Sequence, residues 1–124
     1  GENQEEAELL VNITSKAKKE ELSFYTDQFI YAESHGNYIV FHLLVKDKPH
    51  EVIIRNSISN IEQQFTNIPW FMRVHRAYIV NLKKVKSKSG NTLGYRLKLA
   101  DESDTIPVSR QNISKFDRLV EQYQ

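Results

Sequence analysis

The chain has 124 residues and a net charge of +1, and its 14.5 kDa is the size of one domain. With 40% hydrophobic and 27% charged residues it is too apolar to be a disordered chain. It has no cysteine, which excludes a disulfide framework, a Cys-based zinc site and a cysteine nucleophile.

Residues 1–8 (GENQEEAE) are acidic and are expected to form a linker or tag remnant. Gly1 in place of a methionine points to a piece cut from a longer protein. Residues 9–124 form the single predicted domain. No apolar run approaches the ~18 residues of a membrane helix. Short β-branched and aromatic runs separated by turn residues predict strands at 9–13, 22–25 and 29–33. His35-Gly36-Asn37 is a turn signal. Residues 38–45 are apolar on both faces, which predicts a central strand. Residues 46–49 turn the chain, and 50–55 return as the hairpin partner. Ile58, Ile61 and Phe65 share a helical face, with Ser57 as N-cap and Ser59 with Glu62 as a capping box. Trp70 and Phe71 follow as core anchors.

Strands are predicted next at 79–82 and 85–87, with a turn at 89–92. Tyr95, Leu97 and Leu99 alternate with Arg96 and Lys98, a half-buried strand with a basic wet face. Residues 101–104 turn into a last strand at 105–108. Ser109 reads as the N-cap of a closing helix whose apolar stripe is Ile113, Phe116, Leu119 or Val120, and Tyr123. The expected fold is mostly β: seven to ten short strands in hairpins, one short internal helix and a C-terminal helix.

Charge is unevenly placed. Residues 1–21 carry −3, residues 22–70 carry −2 and residues 100–124 carry −2. Residues 71–99 hold eight bases and no acid. A field of one sign interleaved with apolar residues is the footprint of a polyanion-binding surface. The competing reading is a solvated face whose lysines pair with acids elsewhere.

Enzyme chemistry finds little support. His35, His42, His50 and His75 form no HxH or HxxxH pair, so they read as surface or strand-pairing residues rather than metal ligands. There is no GxSxG, GxGxxG or phosphate loop. No cofactor is expected.

The segment FMRVHRAYIVN (residues 71–81) carries the strongest signal. It sets two arginines, a histidine and an asparagine among apolar residues, and arginine's planar fork suits guanine edges and phosphates. Lys83, Lys84, Lys86 and Lys88 follow, point charges suited to phosphate. Tyr31, Trp70, Phe71, Tyr78 and Tyr95 read as core rather than as base-stacking platforms.

This segment resembles the F-x-R-x-H-R-S-x-x-V-N signature of the LytTR DNA-binding domain, found at the C-terminus of many bacterial response regulators. FIYAESHGNYIVFH (29–42) resembles the family's I-x-Y-x-E-x-x-x-N-Y segment, and DTIPVSRQNISKF (104–116) its terminal I-P-V-S-R-x-x-x-x-x-F. The three blocks stand in the family's order across about residues 9–120. Ala77 replaces the usual serine.

The resemblance implies an elongated stack of short antiparallel sheets. It implies sequence-specific binding of double-stranded DNA by loops that enter successive grooves, with bending, on paired direct repeats. It also implies a cytoplasmic regulator, a homodimer on DNA and an upstream domain of the same parent chain. By motif position the expected DNA contacts are His35, Asn37, Tyr38, Arg76 and Arg110; the charge of the lysine cluster, apart from the motif, adds Lys83 and Lys84 as expected phosphate contacts. His75 and Asn81 are expected to hold the loop that carries Arg76. Arg110, one residue after a helix cap, is expected at a helix N-terminus. The alternatives are a β-rich sensor or protein-interaction module whose basic face meets an acidic partner, and single-stranded nucleic-acid binding.

Overall fold

The computed structural model describes residues 9–15, 21–100 and 102–124. The expected linker at 1–8 and Asp101 of the 101–104 turn lie outside the described residues. Ten strands occur among them: β1 (Leu10–Thr14), β2 (Glu21–Tyr25), β3 (Phe29–His35), β4 (Tyr38–Val45), β5 (Lys48–Arg55), β6 (Phe71–His75), β7 (Tyr78–Asn81), β8 (Val85–Asn91), β9 (Gly94–Leu99) and β10 (Thr105–Ser109). Helix α1 (Ile58–Gln64) separates β5 from β6, and α2 (Ile113–Tyr123) closes the chain.

The strands form three antiparallel sheets: a β1–β2 ribbon, a five-stranded sheet in the order β5-β4-β3-β7-β6, and a three-stranded sheet in the order β10-β9-β8. The five-stranded sheet is the frame. Alternation sends Ala32, Ile39, Phe41, Ile54 and Ile79 to one face, where they pack with Ile58, Ile61 and Phe65 of the α1 region and with Val11, Ile13 and Phe24 of the ribbon. Five phenylalanines (Phe24, Phe29, Phe41, Phe65 and Phe71) make edge and tilted contacts in this core. Tyr31, Met72, Val74 and Val80 face the other way, onto Leu97, Leu99, Ile106 and Val108 of the small sheet and Ile113 and Phe116 of α2. A register shift between Phe29 and Tyr31 lets the neighbours Ile30 and Tyr31 both enter this second core.

The double-sided apolar strand 38–45 does lie inside the sheet, between β3 and β5. Several local expectations change. The β4–β5 turn is only Lys46-Asp47, both at positive φ (54° and 64°), and Pro49 sits in β5 opposite Leu44. An edge strand tolerates a proline because its outward N–H bonds are not needed. The capping box does not form. Ser57 Oγ accepts from the Asn60 N–H at 3.2 Å, while Ser59 and Glu62 are engaged by Arg73. β8 runs to Asn91, so the next turn is Thr92-Leu93. Phe71 is an anchor as expected, but it opens a full strand, β6.

Ser109 does not cap a helix. Its Oγ donates to the Val74 carbonyl at 3.3 Å and accepts from Asn112 Nδ2 at 2.7 Å. Residues Arg110–Asn112 form a 3-10 turn before α2 begins at Ile113.

Candidate nucleic-acid interface

Three turns meet at one end of the five-stranded sheet. The β3–β4 turn carries His35, Gly36, Asn37 and Tyr38. The β6–β7 turn carries Arg76 and Ala77. The backbone joins them, because the Ser34 N–H donates to the Ala77 carbonyl at 2.9 Å. These hairpins are neighbours in the sheet order, their centres two strand spacings, about 10 Å, apart. The third turn, Arg110–Asn112, is tied to β6 by Asn112 Nδ2, which donates to the Val74 carbonyl at 3.1 Å. Residues from three separate sequence blocks therefore line one edge.

The β6–β7 turn is braced from both sides. Arg73 Nη2 donates to the Arg76 carbonyl at 2.8 Å, and its Nη1 reaches Glu62 Oε1 at 3.0 Å and Ser59 Oγ at 3.2 Å. His75 Nδ1 accepts the Ala77 N–H at 3.1 Å. Accepting that bond requires an unprotonated Nδ1. Burial first, then the charges of Arg76 and Arg96, hold the His75 pKa below its ordinary value. A register shift between Arg73 and His75 sits beside the turn, the kind of irregularity that re-aims a side chain. Arg76 is left exposed. Ala77 serves the turn through its backbone, so the missing serine hydroxyl leaves both of these bonds intact.

His75 thus holds the Arg76 turn as expected, but Asn81 does not. Asn81 is 1% exposed and lies at the opposite end of β7. Its Nδ2 donates to the Phe29 and Thr26 carbonyls at 2.9 and 3.3 Å, and its Oδ1 accepts from the Lys83 N–H at 2.9 Å. The motif asparagine knits the far end of the sheet. Arg73 is the second brace on Arg76.

Lys83 and Lys84 also lie at that far end. Lys83 Nζ stands 4.1 Å from the Trp70 ring centroid, a cation–π contact. Lys84 borders a recess with Asp27, Lys46 and Asp47, next to the β4–β5 turn. The structure brings His35, Asn37, Tyr38, Arg76 and Arg110 together and sets Lys83 and Lys84 apart from them.

The basic run is less uniform in space than in sequence. Arg73 pairs with Glu62. Lys88 pairs with Asp117 at 3.1 Å, and that bond above all raises its pKa. None of the ion pairs among the described residues involves Arg55, Arg76, Arg96 or Arg110. Arg96 is an addition to the expected set. It stands opposite Pro107 on β10, Nε donates to Thr105 Oγ1 at 3.0 Å, and its charge acts on His75 and Tyr78. Alternation placed Arg96 on the wet face of β9; only the packing of β10 against β6 brings its charge to bear on His75, beside the Arg76 turn.

His42 is not a surface residue. It is 7% exposed, stacks on Tyr31 with ring centroids 4.1 Å apart, and shares Glu33 with His35 at 2.8 and 3.1 Å. Burial, then the carboxylates of Glu33, Glu102 and Asp104, hold the Tyr31 phenol above its ordinary pKa. Tyr31 and Phe71 are buried, and Trp70, Tyr78 and Tyr95 are half-buried against the second core. No group of three or more His, Asp or Glu side chains poised for a metal occurs among the described residues. No helix among them is long and apolar enough to cross a membrane.

Comparison with known proteins agrees with the three sequence blocks. The family model of the LytTr DNA-binding domain matches residues 20–121. No curated protein matches the chain. Among solved structures, it is similar to the LytTr DNA-binding domain of a Bacillus cereus protein described as a methyl-accepting/DNA response regulator. That likeness has a TM-score of 0.67 at 18% identity, over 90% of this chain and 95% of the other, and it concerns the fold. With the family model matching most of its length, this chain belongs to the LytTR family of DNA-binding domains.

Proposed function

We propose that this domain is the sequence-reading output module of a cytoplasmic bacterial transcription regulator, acting on double-stranded DNA. The observation that carries this reading is the convergence of three turns, each presenting exposed polar or basic side chains, on one sheet edge. His35, Asn37, Tyr38, Arg76 and Arg110 are the proposed contacts. Turns at separate places along an edge suit successive grooves of one duplex face. Arg76 and Arg110, free of carboxylates among the described residues, have forks open for base edges or phosphates. Arg110 acts here from a 3-10 turn, not from a helix N-terminus. Lys83 and Lys84, at the other end, are assigned a smaller share as phosphate contacts. Paired direct repeats and two copies per site complete the reading, with an upstream domain of the parent chain controlling it.

The test is a titration with a duplex selected from a random pool, a random duplex, a single strand and a control polyanion, each at two salt concentrations. Affinity should favour the selected duplex, and log affinity should fall with log salt at about −0.9 per phosphate neutralised. Equal binding of all four ligands would favour a basic face for an acidic partner. A slope near zero overturns the DNA reading.

A further inference from the structure

Two cations at the reading edge, Arg96 and Arg55, belong to none of the three family blocks, and Arg55 is the one on the five-stranded sheet itself. Arg55 ends β5, the edge strand of the five-stranded sheet, and pairs with Tyr38 in register. Its guanidinium carbon stands 5.9 Å from the Tyr38 ring centroid. Arg55 is exposed, and no ion pair among the described residues involves it. Gly36, Asn37, Arg55, Asn56 and Ser57 line an open recess of about 150 Å³.

The walls of the recess are fixed. Buried Asn56 donates its backbone N–H to the Asn37 carbonyl at 3.1 Å, and its Nδ2 to the Thr14 carbonyl at 2.8 Å. Its Oδ1 accepts the Ser57 N–H at 2.8 Å. The Arg55 carbonyl accepts from Ser15 Oγ at 3.4 Å. Gly36 sits at φ +59°, where a side chain would be strained. The backbone of the β3–β4 turn is thus locked to the end of β5, while the arginine fork and the Asn37 amide remain exposed.

We infer that Arg55, with Asn37, is a phosphodiester clamp that grips the DNA backbone at the outer border of the reading edge. This rests on the reading of that edge as the DNA face. An edge-strand position, one strand beyond the β3–β4 turn, suits a flanking phosphate rather than a base. Backbone contacts of this kind set register and carry no sequence information. The Tyr38 ring favours a guanidinium held over its face, and a planar fork can offer two parallel donors to phosphate oxygens. Recognition at the β3–β4 turn is then two-part: His35 and Tyr38 read, and Arg55 with Asn37 fixes where they sit.

The experiment compares Arg55→Gln, Arg55→Lys and Arg76→Ala with the parent on a selected and a random duplex across a salt series. Thermal unfolding of each variant serves as the check on folding. Arg55→Gln should weaken both duplexes about tenfold and equally, and make the salt slope shallower by about one unit. Arg55→Lys should restore the slope and only part of the affinity, because it keeps the charge without the fork. If Arg76→Ala loses affinity and Arg55→Gln does not, the clamp is wrong and the reading edge stands. If Arg55→Gln lowers only the selected duplex, Arg55 reads a base and the clamp is wrong. If neither variant moves either duplex, the reading edge itself is wrong. A matching drop in thermal stability for both Arg55 variants would make Arg55 structural and overturn the clamp.

Discussion

The two ends of the five-stranded sheet draw on the same basic stretch of sequence and differ in what they do with it. At one end, Arg76 is presented on a braced turn and joined by Arg55, Arg96 and Arg110 from other strands and turns. At the other, Lys83 lies over Trp70, and Lys84 shares its recess with Asp27 and Asp47. Neighbours in sequence diverge across β7, and residues more than thirty positions apart converge. Linear charge density marks a basic stretch; the strand order decides which of its members share one end of the sheet.

The largest expected contrast is in binding. Arg76→Ala and Arg110→Ala should each cost about 1–3 kcal/mol on a selected duplex, the worth of one good bidentate contact. The loss on random duplex should be smaller. Both residues are exposed, so unfolding stability should stay within about 0.5 kcal/mol of the parent. Denaturant melts run beside the titrations check this. A stability loss in step with the affinity loss makes that arginine structural.

Asn81→Ala should do the reverse. It removes the partner of two buried carbonyls at the far end, which should cost about 1–3 kcal/mol of stability. The ratio of selected to random binding should hold in the folded fraction. A changed ratio with unchanged melting would sink the division between the two ends.

Arg73→Ala sharpens the comparison from within. It removes the brace on the Arg76 carbonyl and the partner of Glu62, so stability should fall by about 1 kcal/mol. Selected-duplex affinity should fall part of the way toward that of Arg76→Ala. Combined with Arg76→Ala it should add little further binding loss, because both act on one turn; full additivity contradicts the bracing.

Lys83→Ala with Lys84→Ala should have a smaller effect. Selected and random duplex should weaken alike, with the salt slope shallower by at most about one unit per lysine. A change in sequence preference would move the reading face toward the far end.

The smallest effect concerns pH. The folded pKa of His75 lies below its ordinary value of 6.5, so the unfolded chain takes up its proton first as pH falls. The stability this histidine contributes is complete above about pH 6.5 and is lost as pH drops through its lower folded value. Protonation places a hydrogen on Nδ1, which can then no longer accept the Ala77 N–H. The melting difference between the parent and His75→Gln should therefore shrink on acidification. A difference that widens instead contradicts this arrangement.

Much of the fold was legible in pattern. Two-sided apolarity marked β4 as interior, alternation marked β9, and the Ile58, Ile61 and Phe65 spacing marked α1. β6 was less legible as a strand, because Arg73 and His75 interrupt its apolar face to brace a turn. Ser109 reads as a cap because a serine before a helix usually is one; here its hydroxyl is held by Asn112 and by the Val74 carbonyl, and only the approach of β10 to β6 supplies the latter. The same approach hides Arg96 from any linear reading. The motif put Arg76 on a turn with His75 beside it, which is where the structure has them, yet it could not separate Asn81 from them, since a four-residue strand puts their side chains at opposite ends.

The most direct test is amide chemical-shift mapping by NMR of this 14.5 kDa domain on titration with a selected duplex. The largest perturbations are expected at residues 34–38, 75–78 and 109–112, with Arg55 beside them. Perturbations concentrated at residues 46–48 and 83–85 instead would contradict the assignment of the DNA face to the end that carries Arg76.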